Sequence, residues 1–598
     1  MFEYEIVDTE YGDKLAISFD YDKQMVGQIK SLPWDVTHRS WDPDIGAWLI
    51  DYTDESISCF ERRVNAIVPP DIKPDQGYQG DIEIVVPEGY TWFFLQSPPN
   101  EVNNLLYQEL SYEAPNAEYT TSYKQGTWDG IIRLYDKQKQ GAAVGLMDRA
   151  VEMIEELGYN VDISIRGDRD GTQADFSWEF EHPLRDYQRE AVDALIANGS
   201  GVLSMPTGTG KTVTGLKATQ ELGRQTLIVV HTQELLYQWA EEIEEIFGHK
   251  PGMIGDGLWS EEPITVAIMQ TLVSKGADTL KGDYGTLVFD ECHRTSAADT
   301  MHEIGMDIDV EYRVGLSATP WRRVKGEELK IEGAIGNQVY QVTAEQMIDQ
   351  GYLARPEFEL IDPADYGSVD TAHDSMDYHK AYRQCISLSP TRNRAVAEKA
   401  AELASDGYKV LINVDRISHG RLLEYALNGD VSRGQLMDVV TSMDAKHRQQ
   451  FISAVQTLDT VADVNAVFMH GSDSSETRQD ILERFKSGEI NVLVSTLLKE
   501  GVNIPSINAI VLAQAGKSDI SQIQTIGRAL RPKNGDHAKI ADVKDQGKYF
   551  NDQFEIRQLA MKDYYGSYGP SVDDIPERTP DAKRSLTAEP PSFDDIFS

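Results

Sequence analysis

The 598 residues are 40% hydrophobic and 26% charged, a length that suggests roughly three or four domains with several buried cores. No apolar run is long enough to span a bilayer, and the start MFEYEIVDTEYGDK lacks the basic and apolar regions of a secretory signal, so a cytoplasmic protein with no membrane partner is expected. The three cysteines, Cys59, Cys292 and Cys385, are too scattered for a disulfide framework or a zinc cluster, and 56 Lys+Arg against 98 Asp+Glu give a net charge of -42, far from the basic footprint of most nucleic-acid proteins.

Such a charge fits two readings. One is an ordinary acidic protein that never touches nucleic acid. The other is adaptation to high salt, where surface carboxylates keep a protein hydrated, and the motifs below favour it. High salt removes most of the counterion-release contribution to DNA binding, so contact with nucleic acid must lean on hydrogen bonds, stacking and local basic patches.

The chain opens with a small α+β unit over 1–67. KLAISFDYD (14–22) alternates like a strand, DKQMVGQIKSLP (22–33) reads as a helix stopped by Pro33, and HRSWDPDIGAWLIDY (38–52) reads as a hairpin. The Pro/Gly-rich stretch VPPDIKPDQGYQGD (68–81) reads as a linker. A second unit over 82–165 contains GTWDGIIRLYD (126–136) and the helical GLMDRAVEMIEELG (145–158). From about residue 180, short apolar strands alternate with amphipathic helices, the pattern of a parallel α/β sheet with crossover helices. One block, 180–345, has strands near 201–205, 226–230, 264–268, 286–289 and 312–316. Its helix ELLYQWAEEIEEIF (234–247) places Leu235, Leu236, Trp239, Ile243, Ile246 and Phe247 on one face. A second block, 355–563, has strands at 409–414, 465–471, 491–496 and 509–514, with a helical insertion at 429–463. The Pro-rich acidic tail 566–598 reads as disordered, and its end EPPSFDDIFS (589–598) is a candidate peptide for a protein partner.

Four motifs carry chemistry. SMPTGTGKT (204–212) joins an apolar strand to a helix. Backbone N–H groups of Thr207, Gly208, Thr209 and Gly210 can wrap a phosphate, because glycine tolerates the needed dihedrals and allows close approach. Lys211 then reaches the β- and γ-phosphates of ATP, and Thr212 holds Mg2+. Met205 stands where the usual pattern has Gly or Ala. TLVFDECHR (286–294) ends a strand in two carboxylates, Asp290 suited to hold Mg2+ and Glu291 to take a proton from the attacking water. LSATP (316–320) offers Ser317 and Thr319, with His293, as coupling residues between the γ-phosphate and domain movement. QTIGRALRP (524–532) puts Arg528 and Arg531 on one side of a helix behind Gln524 and Gly527, an arrangement for arginine fingers that makes Gln524 part of the catalytic set.

Over roughly 182–548 the series resembles helicase superfamily 2. It comprises LRDYQREAV (184–192), the P-loop, VVHTQELLYQW (229–239), IMQTL (268–272), DECH, SAT, NVDRISHG (413–420), VFMHGSD (467–473), VSTLLKEGVNIP (494–505) and QTIGRALR, in that order. The resemblance implies two RecA-like parallel-sheet domains, a P-loop NTPase, with ATP in the cleft and DNA across the top. Gln188 then contacts adenine. Thr232, Gln233, Gln270, Thr271, His470 and Thr496 lie near the phosphate backbone of the nucleic acid. Gly501 and Asn503 join the ATP site, with Asn503 standing where many relatives have Asp. GTWDGIIRLYD and VGLMDRAVEMIEELGYNV (144–161) resemble the domain before the motor in phage UvsW-type recombination helicases. SLPWDVTHRSWDPDIGAWLI (31–50) is similar to the HARP module of annealing helicases. These resemblances imply a DNA helicase that remodels forks and Holliday junctions. A restriction-system translocase, an XPB-type duplex opener and an ATP-gated clamp are the alternatives. Among Trp34, Trp41, Trp48 and Trp128, at least two are expected in the core, and Trp128 is the candidate for stacking on bases.

Overall fold

In the computed structural model, the described residues are 2–571 apart from 10–11, 20–22, 31, 33–36, 43–44, 46, 54–55, 58, 61–63, 65–67, 69–78, 88–90, 115–116, 167–177, 277–278, 281–283, 293–297, 320–326, 368–375, 429–439, 441–444, 459, 462–463, 498–506, 517–518 and 532–536. The chain divides into two compact units, Met1–Ile82 with Glu152–Asp162, and Glu83–Val151 with Ile163–Ser598.

The first unit contains a four-stranded antiparallel sheet in the order Glu3–Thr9, Gly12–Ser18, Ala47–Asp51, Ser40–Asp42. Leu15, Ile17, Trp48 and Ile50 bury against Ile29, Leu32 and Phe60. The strand Glu3–Thr9 goes beyond the sequence reading, because its apolar residues are interleaved with acids. Trp48 is a core residue, Trp41 is 51% exposed, and Trp34 lies outside the described residues.

In the second unit, Trp92–Leu95, Gly141–Ala143 and Tyr135–Asp136 pair antiparallel, beside a helix at Asn100–Glu109. This segment seats on the α/β part of the chain through the helix Glu327–Ile335. A Cβ on Gly145 would lie 2.0 Å from the Glu332 carbonyl oxygen, so only glycine permits the approach. Arg149 donates two hydrogen bonds, 2.8 and 2.7 Å, to the buried Glu332 carboxylate.

The first of the two α/β lobes that follow, lobe 1, is built on an eight-stranded sheet. Its order is Leu258–Ser260, Gly252–Gly255, Ile264–Ile268, Thr226–Val230, Thr286–Asp290, Tyr312–Ser317, Gly201–Ser204, Gln338–Gln341. All pairs are parallel except Leu258–Ser260 on Gly252–Gly255. Its central strands are buried along their whole length, which is why they read as continuous apolar runs. Lobe 2 is a six-stranded parallel sheet, ordered Arg355–Ile361, His537–Val543, Ala509–Leu512, Val410–Asn413, Val492–Ser495, Ala466–Met469. The first two of these strands also go beyond the sequence reading. Their charges are paired on the sheet face, with Lys539 held 2.7 Å from both Glu357 and Glu359, and such alternation hides a strand from a search for apolar runs.

Of the insertion at 429–463, Ala445–Thr457 is helical and buries Phe451 and Ala454 against lobe 2. Residues 429–439 and 441–444 lie outside the described residues. The helix Phe550–Tyr565 continues past the expected tail boundary into a single turn at Gly566–Tyr568. Ser567 N–H donates to Glu345 at 2.8 Å and the Tyr568 hydroxyl to Asp349 at 2.6 Å, so the folded chain extends beyond Gly566. The rest of the tail, 572–598, is outside the described residues. Among the described residues no helix is long and apolar enough to cross a membrane.

Candidate functional site

The P-loop follows the buried strand Gly201–Ser204 and feeds the helix Lys211–Leu222. Gly208 and Gly210 take φ of 89° and 84°, left-handed values that cost an L side chain energy. Met205 is fully buried and its N–H donates to Ser317 O at 2.9 Å, so this position is filled by core packing. Thr209 is buried, with its hydroxyl on Pro206 O at 2.7 Å. Gln188 accepts from Arg185 N–H at 3.0 Å and donates to Thr209 O at 3.0 Å. Both ends of its amide are therefore engaged by the chain, bracing the P-loop. Lys211 Nζ rests on Met205 O at 3.3 Å.

Asp290 and Glu291 end the strand Thr286–Asp290 next to the P-loop. Asp290 is 8% exposed. Burial, together with the neighbouring Glu291 charge, pushes its carboxyl up to about 7, against the opposing pull of the Trp239 hydrogen bond and Lys211. Its Oδ1 accepts from Glu291 N–H at 2.9 Å and its Oδ2 from the Trp239 indole N–H at 2.8 Å. Glu291 has φ of 50°, a strained conformation for a side-chain-bearing residue. Ser317, fully buried at the end of its strand, accepts from Thr319 N–H at 3.0 Å. Hydrogen bonds thus join the SAT segment to the start of the P-loop. His293, Gly501 and Asn503 lie outside the described residues.

Lobe 2 closes on this set. Gln524 Nε2 donates to Glu291 Oε2 at 3.3 Å. A Cβ on Gly527 would lie 2.6 Å from Thr207 Cβ, and one on Gly208 would lie 3.7 Å from Arg531 Cγ. Arg528 stands in the last turn of the helix Asp519–Ala529, and Arg531 lies two residues past its end against the P-loop glycine Gly208, where burial lowers its guanidinium, opposed by Glu242. Three residues at the site are not among the expected site residues. Glu242, raised by burial, stands beside Thr212 and Arg531 and accepts from Gln238 at 3.0 Å. Trp239 sits on the same helix. The Tyr564 hydroxyl, from the C-terminal helix, is buried beside Glu291 and Thr207. Trp239 carried a signal, since a buried indole N–H needs a partner. Tyr564 carried none in its sequence context.

Thr232, Gln233, Gln270, Thr271, His470 and Thr496 all lie just past the C-terminal ends of parallel strands, the edge where open α/β sheets bind ligands. The Thr232 hydroxyl caps its helix at Leu235 N–H, and Gln233 bonds to Asp256. Gln270 is exposed. His470 is lowered by burial and stands 3.3 Å from Asp473. Trp128 is half-buried, its indole N–H spent on Ile131 O at 3.0 Å. Nearby segments offer better stacking faces. Tyr119 and Tyr123 are 63% and 43% exposed beside Lys124. Arg133 and Lys137 lie 4.9 and 5.2 Å over Tyr107, and Lys139 lies 5.2 Å over Trp92.

The residues fit Mg2+ and ATP. The glycine cradle would be filled by a Cβ, the Thr207 and Thr319 hydroxyls are buried without a hydrogen-bond partner, and the carboxylates, Lys211 and Arg531 converge. A P-loop on one parallel sheet, completed by a glutamine and arginines from a second, defines a two-lobed P-loop NTPase. Comparison with known proteins agrees. Residues 181–322 match the family model for the type III restriction enzyme res subunit, and 422–533 that for the helicase conserved C-terminal domain. A putative DNA 3'-5' helicase Rad25 of Haloarcula marismortui is 26% identical over 69% of this chain and 61% of its own length. The DNA 3'-5' translocase XPB2 of Sulfurisphaera tokodaii is 28% identical over 59% of this chain and 79% of its own. The ATP-dependent DNA helicase uvsW of Enterobacteria phage T4 is 23% identical over 73% of this chain and 85% of its own. These matches support a superfamily 2 helicase related to UvsW.

Proposed function

We propose that this chain is an ATP-driven DNA helicase or translocase that remodels branched DNA, such as forks and four-way junctions, in recombination and repair. The observation that carries the reading is the contact of lobe 2's Gln524 with lobe 1's Glu291 at 3.3 Å, which makes the hydrolytic site a property of both lobes together. Lys211 would pair with the β- and γ-phosphates, and Thr212 and Asp290 would hold Mg2+. Bound ATP supplies the phosphoryl bond whose cleavage drives the cycle. Glu291 takes the proton of the attacking water. Arg528 and Arg531 bring positive charge to the γ-phosphate when the lobes close. Ser317, Thr319 and His293 pass that state to the lobe interface, with Gly501 and Asn503 on the lobe 2 side.

DNA would run along the strand ends carrying Thr232, Gln233, Gln270, Thr271, His470 and Thr496. The N-terminal modules, HARP-like over 1–67 and UvsW-like over 82–165, would grip the junction. Tyr119, Tyr123 and the cations at Lys124, Lys137 and Lys139 support that role, since aromatic faces and lysines suit bases and phosphates. Local cations of this kind are what a chain of charge -42 needs to hold DNA at high salt, the setting its acidic surface suits.

The family description at 181–322 favours a second reading, the translocase subunit of a restriction system. ATP turnover measured with single strands, linear duplex, forks and four-way junctions, alongside strand separation, decides between them. Branched DNA should stimulate most and be unwound. Stimulation by linear duplex without unwinding favours the second reading, and no stimulation by any DNA rejects both.

A further inference from the structure

Asp290 is the carboxylate suited to hold the metal, yet its second oxygen is tied to a tryptophan on another element. The Trp239 indole N–H donates to Asp290 Oδ2 at 2.8 Å. Trp239 is 1% exposed and lies in the main core of the motor, so its ring has one fixed position. An indole nitrogen has a hydrogen to give and no lone pair to accept with, and a hydrogen bond to a carboxylate is among the stronger ones. Asp290 keeps a further acceptor direction on each oxygen, so the indole orients the carboxylate without using up its capacity to hold a metal.

Trp239 belongs to the helix Gln233–Phe247, which has three functional stations. At its start, Thr232 and Gln233 lie at the strand-end edge proposed for DNA. One residue on, Glu234 pairs with Arg478 of lobe 2 at 3.3 Å. Farther along, Gln238, Trp239 and Glu242 face the nucleotide site. Residues three and four apart share a helix face, and here Gln238 donates to Glu242 at 3.0 Å while Glu242 stands beside Thr212. A rigid helix tied at one end to lobe 2 and at its middle to the metal carboxylate transmits displacement from the first station to the last.

We propose that Trp239 is a positioning residue that couples the DNA-facing end of the helix Gln233–Phe247 to the metal-holding carboxylate of Asp290. The proposal rests on the reading of this chain as a DNA-stimulated ATPase. A shift of the helix start on DNA binding, or on closure of the Glu234–Arg478 contact, moves the indole and with it the orientation of the carboxylate. Glu242 acts through the same helix on Thr212, so both metal-site side chains answer to one element.

The test compares wild type with Trp239→Phe, which keeps an aromatic ring and removes the N–H. Three quantities are read: melting temperature, equilibrium binding of a fluorescent ATP analogue as Mg2+ is titrated, and ATP turnover with and without single-stranded DNA. The expected result is analogue binding that needs several-fold more Mg2+, and a ratio of DNA-stimulated to basal turnover reduced about tenfold, the size of one charge-assisted hydrogen bond. Trp239→His, which returns a ring N–H, should recover part of both, and it carries the test if Trp239→Phe is not folded at the assay temperature. A Trp239→Phe protein with wild-type Mg2+ dependence and wild-type DNA stimulation overturns the coupling. So does an equal loss in the Phe and His variants. A wild-type protein with no DNA stimulation overturns the motor reading beneath it, a distinct outcome.

Discussion

The two lobes of the motor are built on the same parallel-sheet plan and stabilised differently. Lobe 1 ends its strands in the candidate site residues, and uncharged donors hold them: the Trp239 indole and Glu291 N–H on Asp290, the Thr319 N–H on Ser317, and the Gln188 amide on the Thr209 carbonyl. Lobe 2 is braced by buried ion pairs. Arg392 grips Asp545 at 2.6 and 2.9 Å, and Arg557 grips Asp542 at 3.1 and 3.3 Å, all four side chains being nearly inaccessible. The difference suits the proposed division of work, in which lobe 1 lets a carboxylate and a threonine respond to a ligand and lobe 2 delivers Gln524, Arg528 and Arg531 as a rigid set.

The sharpest way to break this division is to remove one chemical group from each side. Glu291→Gln and Arg528→Ala should each cost roughly 10^3-fold in DNA-stimulated turnover. Glu291→Gln keeps ATP binding and traps the closed cleft, whereas Arg528→Ala binds ATP without closing. Turnover assays with nucleotide-binding titrations separate the two, and wild-type turnover in Glu291→Gln would remove the base assignment. Arg557→Ala tests the bracing. It leaves Asp542 buried without its partner and should lower stability by about 3–5 kcal/mol, read by denaturant unfolding. An effect below about 1 kcal/mol would show that the pair is not what holds lobe 2.

A smaller effect is expected at the seam. The Cβ of Gly527→Ala would meet Thr207 Cβ at 2.6 Å, so the lobes must stand apart by a fraction of an ångström. Turnover should fall about tenfold, since misplacement of catalytic groups is costly. The melting temperature should not drop, because alanine favours a helix. The mildest prediction concerns salt. The 98 acidic residues against 56 basic ones repel one another in dilute buffer, and 1 M salt shortens the Debye length to about 3 Å. The melting temperature should therefore rise with KCl while DNA affinity falls. A melting temperature highest in dilute buffer would reject the salt-adaptation reading.

The sequence by itself determined the motor. Its central strands are buried on both faces, and such strands must be continuous apolar runs, so Gly201–Ser204 and Thr286–Asp290 were legible with the P-loop and the two carboxylates at their respective ends. Strands of mixed polarity were not. Glu3–Thr9 interleaves acids with its apolar residues, and Arg355–Ile361 and His537–Val543 carry charges paired with residues far away in the chain, as Lys539 is with Glu357 and Glu359, and no local pattern names such a partner. The same limit holds at the site. Lys211, Asp290 and Glu291 are set by short-range geometry, a turn or a strand end. The indole of Trp239 on Asp290, Gln524 on Glu291, Gly527 against Thr207 and Tyr564 beside Glu291 join residues far apart in the chain. Only the tertiary structure decided those contacts, because a hydrogen bond or a van der Waals limit between distant segments depends on how whole sheets and helices pack, and nothing within a local window of sequence records it.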